Sequence, residues 1–258
     1  MRLYKIFLVA MSTIFLSSIV SADNHANSNR AAVQTVGCTF DAGKDINDLK
    51  SVIAEVNKWW DKNNSSLNYG ALLIQPIFSN TATQISDASI MLFHENMENL
   101  GIAMDQWLLG ENGSDKIQSK FESVCSENSQ ALWSGQPLRQ PKNNNQNGVI
   151  RFQICTLKER ANPQRMAVAD AEWNAVLDEA GLEGGAMRVW RRSGVSDNVQ
   201  WGQFVSMRGA GSLAEYGARS DTFREKNMGS KWGMIYGDLY SCNNGVLSSF
   251  EGVHSSQQ

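Results

Sequence analysis

One histidine, His94, is the side chain with the widest choice of chemistry in this sequence. The chain has 258 residues and three histidines, and the other two, His25 and His254, lie near its ends. An imidazole titrates close to neutral pH, so His94 could act as a general base, bind haem iron axially or contact a ligand. It alternates with Ile90 and Leu92 in a predicted strand, which indicates packed surroundings. A strand-end histidine satisfied by a backbone carbonyl is the simpler explanation.

Carboxylates lie next to this histidine in the sequence. Glu95 follows His94 directly, and Glu98 comes three residues after Glu95. Glu95 is therefore the second catalytic candidate, because it places a carboxylate beside the imidazole. Acidic residues at the start of a helix also interact favourably with its macrodipole, without any catalytic role.

Motifs for metal ions and phosphates are absent or weak. Three dispersed histidines do not provide the spacing of a multi-histidine metal site, so no metal is predicted. The segment Gly209–Ser212 (GAGS) precedes a predicted helix and could cradle an anion on its amides. It lacks the spacing of a phosphate-binding fingerprint, and neither a nucleophile elbow nor a P-loop occurs in the sequence.

A second set of candidates lies on one predicted strand. Arg188, Trp190 and Arg192 alternate and share a face, while Met187 and Val189 are predicted to point the other way, to the helices. Two guanidinium groups with an indole between them suit an anionic or aromatic ligand, through bidentate hydrogen bonds and stacking. The alternative is a solvated strand face, or arginines paired with acidic residues of the first half of the chain.

The four cysteines show a regular spacing. Cys38 and Cys125 are 87 residues apart, and so are Cys155 and Cys242. An even number of cysteines in an exported chain usually pairs, and three pairings are possible. The equal spacing favours Cys38–Cys125 and Cys155–Cys242. Neither pair has the CxxC spacing of a redox or zinc motif, so we expect structural disulfides.

The cysteine offset of 117 residues recurs in the helical pattern. A first predicted helix has apolar residues at one helical face, and a second has them 117 positions later. The corresponding positions are Leu49, Val52, Val56, Trp59 and Trp60, and then Met166, Ala169, Trp173, Val176 and Leu177. The shared register indicates that one unit is present twice, joined by the polar segment Gln136–Gly148.

Each unit is predicted to contain strand, helix, strand, strand, helix and strand, which is the ferredoxin-like βαββαβ order. The strands carry apolar residues on both faces, so the sheet face without helices needs a partner. The predicted fold class is therefore α+β, with two tandem ferredoxin-like repeats packed sheet to sheet. The predicted divisions are a signal peptide (1–22), a flexible lead-in (23–36), the first repeat (37–135), a linker (136–148), the second repeat (149–253) and a tail (254–258).

The start of the chain predicts export. Arg2 and Lys5 precede the apolar run Ile6–Val20, and Val20–Ala22 offers a small-residue cleavage pattern. The run of about 15 residues is shorter than the roughly 20 needed to span a bilayer, so no membrane span is predicted after signal removal. Without its two basic residues the chain has a net charge of −5, which does not favour nucleic acid as a partner. We expect a secreted or periplasmic protein.

The element order and the duplication resemble the dimeric α/β barrel superfamily, which includes the antibiotic-biosynthesis monooxygenase-like, EthD-like and NIPSNAP-like families. The resemblance covers roughly residues 37–253 and carries no motif. It implies a site between sheet and helices or between the two sheets. Members span cofactor-free monooxygenases, haem-degrading enzymes, haem peroxidases, lyases and proteins of no known activity, so the fold does not select a function.

The sequence favours binding of a small apolar or aromatic molecule between the repeats, without chemical change and with no cofactor. An enzyme of a different class is the first alternative, monooxygenase-like or haem-dependent, using His94. An envelope protein that recruits a partner through a sheet edge is the second alternative, and an oligomer is then possible.

Overall fold

The computed structural model of the protein describes residues 30–64, 66–79, 86–142, 146–195 and 197–255. The predicted signal peptide and residues 23–29 of the predicted lead-in lie outside the described residues. Within the described part, none of the helices combines the length and apolar content needed to span a bilayer.

The first repeat has the predicted order of elements. Its strands lie in the order β4-β1-β3-β2 and are all antiparallel to their neighbours. Helix α1 begins after Asp45, whose side chain accepts hydrogen bonds from the Asn47 and Asp48 amides. The elements are β1 (Ala31–Phe40), α1 (Ile46–Asn63), β2 (Tyr69–Phe78), β3 (Ala88–His94), α2 (Met97–Leu108), α3 (Ser114–Val124) and β4 (Cys125–Arg139).

The second repeat has the same topology. Strands β6, β7, β5 and β9 are neighbours in that order, and the short β8 pairs with the end of β5. Helix α6 was not predicted, because it contains Gly229 and Gly233, which weaken the helical signal. The elements are β5 (Asn147–Leu157), α4 (Pro163–Glu179), β6 (Ala186–Ser193), β7 (Gln203–Ala210), α5 (Leu213–Glu225), α6 (Met228–Tyr236), β8 (Tyr240–Cys242) and β9 (Val246–Ser255).

The two sheets close into one antiparallel barrel. Strand β2 pairs with β9, and β4 pairs with β6, so the edge strands of each repeat are paired with the other repeat. The inner faces of the two sheets meet in a shared apolar core, which confirms the predicted sheet-to-sheet packing. The buried residues of this core are Val33, Ile74, Met91, Ile150, Val189 and Met207.

The helices cover the outside of the barrel in two separate layers. Helices α1 to α3 pack on the first sheet, and α4 to α6 pack on the second. The predicted face of α1 is buried, including Leu49, Val52 and Trp60. Both faces of each sheet are therefore covered, which explains why the strand sequences have apolar residues on both faces.

The predicted disulfides are confirmed. Cys38–Cys125 joins the end of β1 to the start of β4, and Cys155–Cys242 joins β5 to β8. Each closes a segment with a sequence separation of 87 residues. Disulfides of this kind form and persist in oxidising compartments.

Three predicted boundaries are wrong. Residues 31–36 of the predicted lead-in belong to β1, where they pair with β3 and β4. Both ends of the predicted linker 136–148 belong to strands, because Gln136 to Arg139 continue β4 and pair with β6, while Asn147 and Gly148 begin β5. His254 of the predicted tail lies on β9, paired with Ala71. In each case a polar composition suggested an exposed segment, and pairing across the barrel satisfies its backbone instead.

Candidate functional site

The main candidate site is a cavity of about 470 Å³ at one end of the barrel. We call it the mouth, and it is lined by strands of both repeats. Two glycines on the inner face help to leave it open. A Cβ at Gly70 would meet no atom within 4 Å, and one at Gly209 would meet only the Val149 carbonyl oxygen, at 3.9 Å. The mouth falls within the roughly 300–1,000 Å³ range of small-molecule sites.

The floor of the mouth is apolar. It consists of inner-face side chains from six strands, two in the first repeat and four in the second. The floor therefore offers van der Waals contact and aromatic edges to a ligand. These floor residues are Leu72, Phe93, Ile150, Met187, Met207 and Phe250.

The rim of the mouth is charged and internally paired. Arg139 contacts Asp178 at 2.5 Å, and Lys142 contacts Glu183 at 2.8 Å. The hydrogen bond from the Arg139 guanidinium holds the pKa of the Asp178 carboxyl below its usual range. Arg139 also donates to the Leu182 carbonyl oxygen at 3.0 Å. The rim cations therefore already have partners within the chain.

A third ion pair stands at the start of α5. Arg219 pairs with Glu215 one helical turn earlier and donates to the Gly209 carbonyl oxygen at 2.7 Å. Glu215 Oε2 accepts a hydrogen bond from the Gly211 amide at 2.8 Å. Gly184 has φ +118 and lies against the Arg219 guanidinium, so a Cβ there would collide with it. The predicted GAGS anion cradle thus holds a carboxylate of its own chain.

His94 lies in the helix layer of the first repeat and not at the mouth. It is 2% exposed, and its ring stacks on Tyr69 at 5.8 Å between centroids and packs at a tilt against Trp60 at 5.2 Å. Among the described residues, neither ring nitrogen has a hydrogen-bond partner. The prediction that a backbone carbonyl satisfies His94 is therefore wrong. Burial lowers the pKa of His94 to about 4, so the ring is neutral at pH 7.

Glu95 is not brought together with the imidazole. Its side chain is exposed, and its carboxylate accepts a hydrogen bond from Asn99 at 3.4 Å. Glu98 is exposed in the first turn of α2, where the macrodipole favours an acidic residue. The catalytic pair His94 and Glu95 stays a prediction that this arrangement does not favour.

The predicted face of the arginine strand is reversed. Met187 and Val189 face the barrel interior, while Arg188 faces helix α4. The Arg188 guanidinium is 1% exposed and forms two hydrogen bonds with Asp170, at 2.6 and 2.5 Å. The alternative prediction paired the arginines with acidic residues of the first half of the chain. The partner of Arg188 instead belongs to the second repeat. Alternation was predicted correctly, but two covered faces cannot be told apart by alternation alone.

The other two members of that set have different surroundings. Trp190 packs against Phe204 at 4.9 Å between ring centroids, and Arg192 is exposed. Tyr236 donates to Asp170 at 2.8 Å, and burial raises the pKa of Tyr236 above its usual value. The helix layer of the second repeat is therefore filled by its own polar network.

The helix layer of the first repeat keeps a smaller cavity, of about 120 Å³. Its walls include Trp59, Trp60, Trp107 and Phe121. This layer is where haem would have to bind if His94 were its axial ligand. The ring of His94 is enclosed by aromatic side chains, and the cavity is well below the usual size of a cofactor site. The described residues therefore do not fit a porphyrin beside His94.

His254 was missed as a site residue because the end of the chain was predicted to be a tail. A bulge in β9 between the pairs Ala71–His254 and Leu72–Gly252 aims its ring at the helix layer. The ring stacks on Tyr69 at 4.0 Å, and its Nε2 lies 3.5 Å from the Asp61 carboxylate. Burial lowers the pKa of His254, and Asp61 opposes that shift.

Two residue spacings in the sequence are signals for the ion pair at the rim. Ser212 and Glu215 have the spacing of a capping box, and Glu215 and Arg219 have the spacing of a helical ion pair. The floor had no such signal, because the inner face of each strand is defined only once the barrel is closed.

Comparison with known proteins identifies the fold. No protein-family model matches the chain, and no curated protein matches it. A solved structure of a monooxygenase candidate from Lactobacillus acidophilus is 10% identical, with a TM-score of 0.53 over 87% of this chain and 95% of that one. A second monooxygenase candidate, from Fusobacterium nucleatum, is 7% identical, with a TM-score of 0.54 over 87% and 93%.

An anthrone oxidase-like protein is also similar, at 12% identity and a TM-score of 0.52 over 90% of this chain and 95% of that one. Likeness at this level of identity shows the fold alone. The protein has the dimeric α/β barrel fold, built here from two repeats of one chain, as the sequence resemblance implied.

Proposed function

We propose that the protein binds a small apolar or aromatic molecule at the mouth of the barrel, between its two repeats. The observation that carries this proposal is the cavity of about 470 Å³ with an apolar floor. A concave apolar wall with a few polar groups at its edge is the usual form of a small-molecule site. With the two disulfides and the predicted signal peptide, we place this activity in the periplasm or outside the cell.

The polar residues of the helix layers support binding over catalysis. The Arg188 guanidinium is held by Asp170, and Glu95 is exposed away from His94. The floor of the mouth consists of carbon and sulfur side chains that cannot transfer protons. The floor therefore offers contact area and shape, and the charged groups of the mouth lie at its rim.

The test is a fluorescence titration with the uncharged probe N-phenylnaphthylamine. Gly70→Leu places a side chain in the open part of the mouth, where an added Cβ meets no atom within 4 Å. We expect it to weaken probe binding by about tenfold or more, because it removes the contact volume. Gly101→Leu is the matched control, since its Cβ also meets no atom within 4 Å, but it lies on α2. Absence of binding by the wild type, or equal binding by both variants, contradicts the proposal.

An enzyme is the second candidate, and one observation favours it. His94 is buried and neutral, and neither of its ring nitrogens is hydrogen-bonded among the described residues. A base without a partner, close to a cavity lined by tryptophans, is what a cofactor-free oxygenase needs. The test is oxygen uptake with anthrone as the probe substrate. Uptake that His94→Ala abolishes supports this candidate, and equal rates in both proteins remove it.

A further inference from the structure

The groups at the mouth that could bind an anion are already occupied by one carboxylate. Glu215 Oε2 accepts a hydrogen bond from the Gly211 amide at 2.8 Å, and Glu215 Oε1 accepts one from Arg219 Nη2. The other terminal nitrogen of Arg219 donates to the Gly209 carbonyl oxygen. The Glu215 amide is in turn capped by Ser212 Oγ at 3.0 Å. The carboxylate is therefore held from both sides, by a charge and by a backbone amide.

The remaining charges of the rim are balanced in the same way. Arg139 is held by Asp178, and Lys142 is held by Glu183. The three cations named at the rim thus face three carboxylates of the same chain. No uncompensated charge remains among these pairs to attract an ionised ligand into the mouth.

We infer that the mouth selects uncharged ligands, and that Glu215 determines this specificity by occupying the position that a ligand anion would take. This inference rests on the proposed function. An anionic ligand would meet the Glu215 carboxylate beside the only cation on α5 that faces the mouth in the described structure. Otherwise its charge would lie against the apolar floor, where ionised groups are costly to bury. A neutral ring system has neither penalty.

Two probes with nearly the same ring system measure this selectivity. N-phenylnaphthylamine is uncharged, and anilinonaphthalenesulfonate carries one sulfonate. The wild type should bind the uncharged probe about tenfold more tightly than the anionic probe, or more. Glu215→Ala frees the Arg219 guanidinium and the Gly211 amide for the sulfonate. It should raise affinity for the anionic probe by about tenfold relative to affinity for the uncharged probe.

Two further variants are controls. One tests whether a loss of packing explains the result, and the other tests whether any change of net charge does. Glu215→Gln removes the charge but keeps the length and a hydrogen-bond acceptor, and it should give the same direction of change. Glu225→Ala makes the same charge change at an exposed position near the end of the same helix. It should bind both probes as the wild type does.

The possible outcomes separate the two proposals. Equal affinity of the wild type for both probes overturns the selectivity and leaves the proposed function standing. The selectivity is also overturned by unchanged affinity for the anionic probe in both folded Glu215 variants, or by an equal gain in Glu225→Ala. Failure of the wild type to bind the uncharged probe overturns the proposed function, and this inference with it.

Discussion

At the scale of single residues, His94 shows what burial does to a histidine that lacks a partner. Its ring lies between Trp60 and Tyr69 and is 2% exposed. Burial lowers its pKa to about 4, below the value of 6.5 expected in the unfolded chain. Between these two values the unfolded state binds more protons than the folded state. The stability that depends on neutral His94 is therefore complete above about pH 6.5 and is lost as the pH falls towards 4.

The first prediction concerns this pH dependence. His94→Phe keeps the aromatic packing and removes the titrating group. On going from pH 7 to 4.5, the wild type should lose on the order of 2 to 3 kcal/mol more unfolding free energy than the variant. Urea denaturation at both pH values measures this difference. Parallel losses in the two proteins would show that His94 is already protonated, or hydrated, in the folded state.

The second prediction concerns the Arg188–Asp170 pair. Arg188→Met leaves the Asp170 carboxylate, which is 12% exposed, without its counter-charge and should cost about 3 to 5 kcal/mol. The double variant Arg188→Met/Asp170→Leu should recover most of that loss, because an apolar pair needs no compensation. Denaturant unfolding of the single and double variants measures both values. A single variant as stable as the wild type would show that the pair is hydrated and not buried.

At the scale of elements, the periodic patterns predicted most helices and strands because each has one dominant spacing. The 3.6-residue pattern of α1 and α4 and the equal cysteine spacing both survive in the structure. The direction of the side chains on β6 could not be predicted, since the helix side and the barrel side are both apolar. The position of the mouth could not be predicted from the sequence for the same reason. Gly70 is significant only because β2 pairs with β9 of the other repeat.

The third prediction compares the two disulfides. Because both close segments with a sequence separation of 87 residues, chain entropy assigns each about the same stabilisation, roughly 4 to 5 kcal/mol. Cys38→Ala/Cys125→Ala and Cys155→Ala/Cys242→Ala should therefore lose similar amounts in denaturant unfolding. Losses that differ by more than about 2 kcal/mol would mean that local packing, and not loop closure, decides their contribution.

At the scale of the whole molecule, each repeat supplies what the other lacks. The first repeat alone would expose the inner face that includes Val33, Ile74 and Met91, together with the edges of β2 and β4. Exposed apolar faces and free strand edges promote association. In the barrel, β2 pairs with β9, which occupies the place of β4 in the second repeat. A second copy of the first repeat could offer its β4 to the same edge.

The fourth prediction follows from this arrangement. Residues 30–139 expressed alone should form a homodimer or larger assemblies, and not a folded monomer. Gel filtration with light scattering gives the mass, and circular dichroism shows whether the chain is folded. A folded, soluble monomer would contradict the dependence of one repeat on the other.

The location of bound ligand is the most direct test of the account as a whole. The measurement is a crystal structure of the protein with N-phenylnaphthylamine. The account predicts the naphthalene ring at the mouth, against Leu72, Phe93 and Met207, with the Glu215–Arg219 pair intact beside it. A probe found instead among the tryptophans between α1 and the first sheet, with the mouth empty, would contradict it.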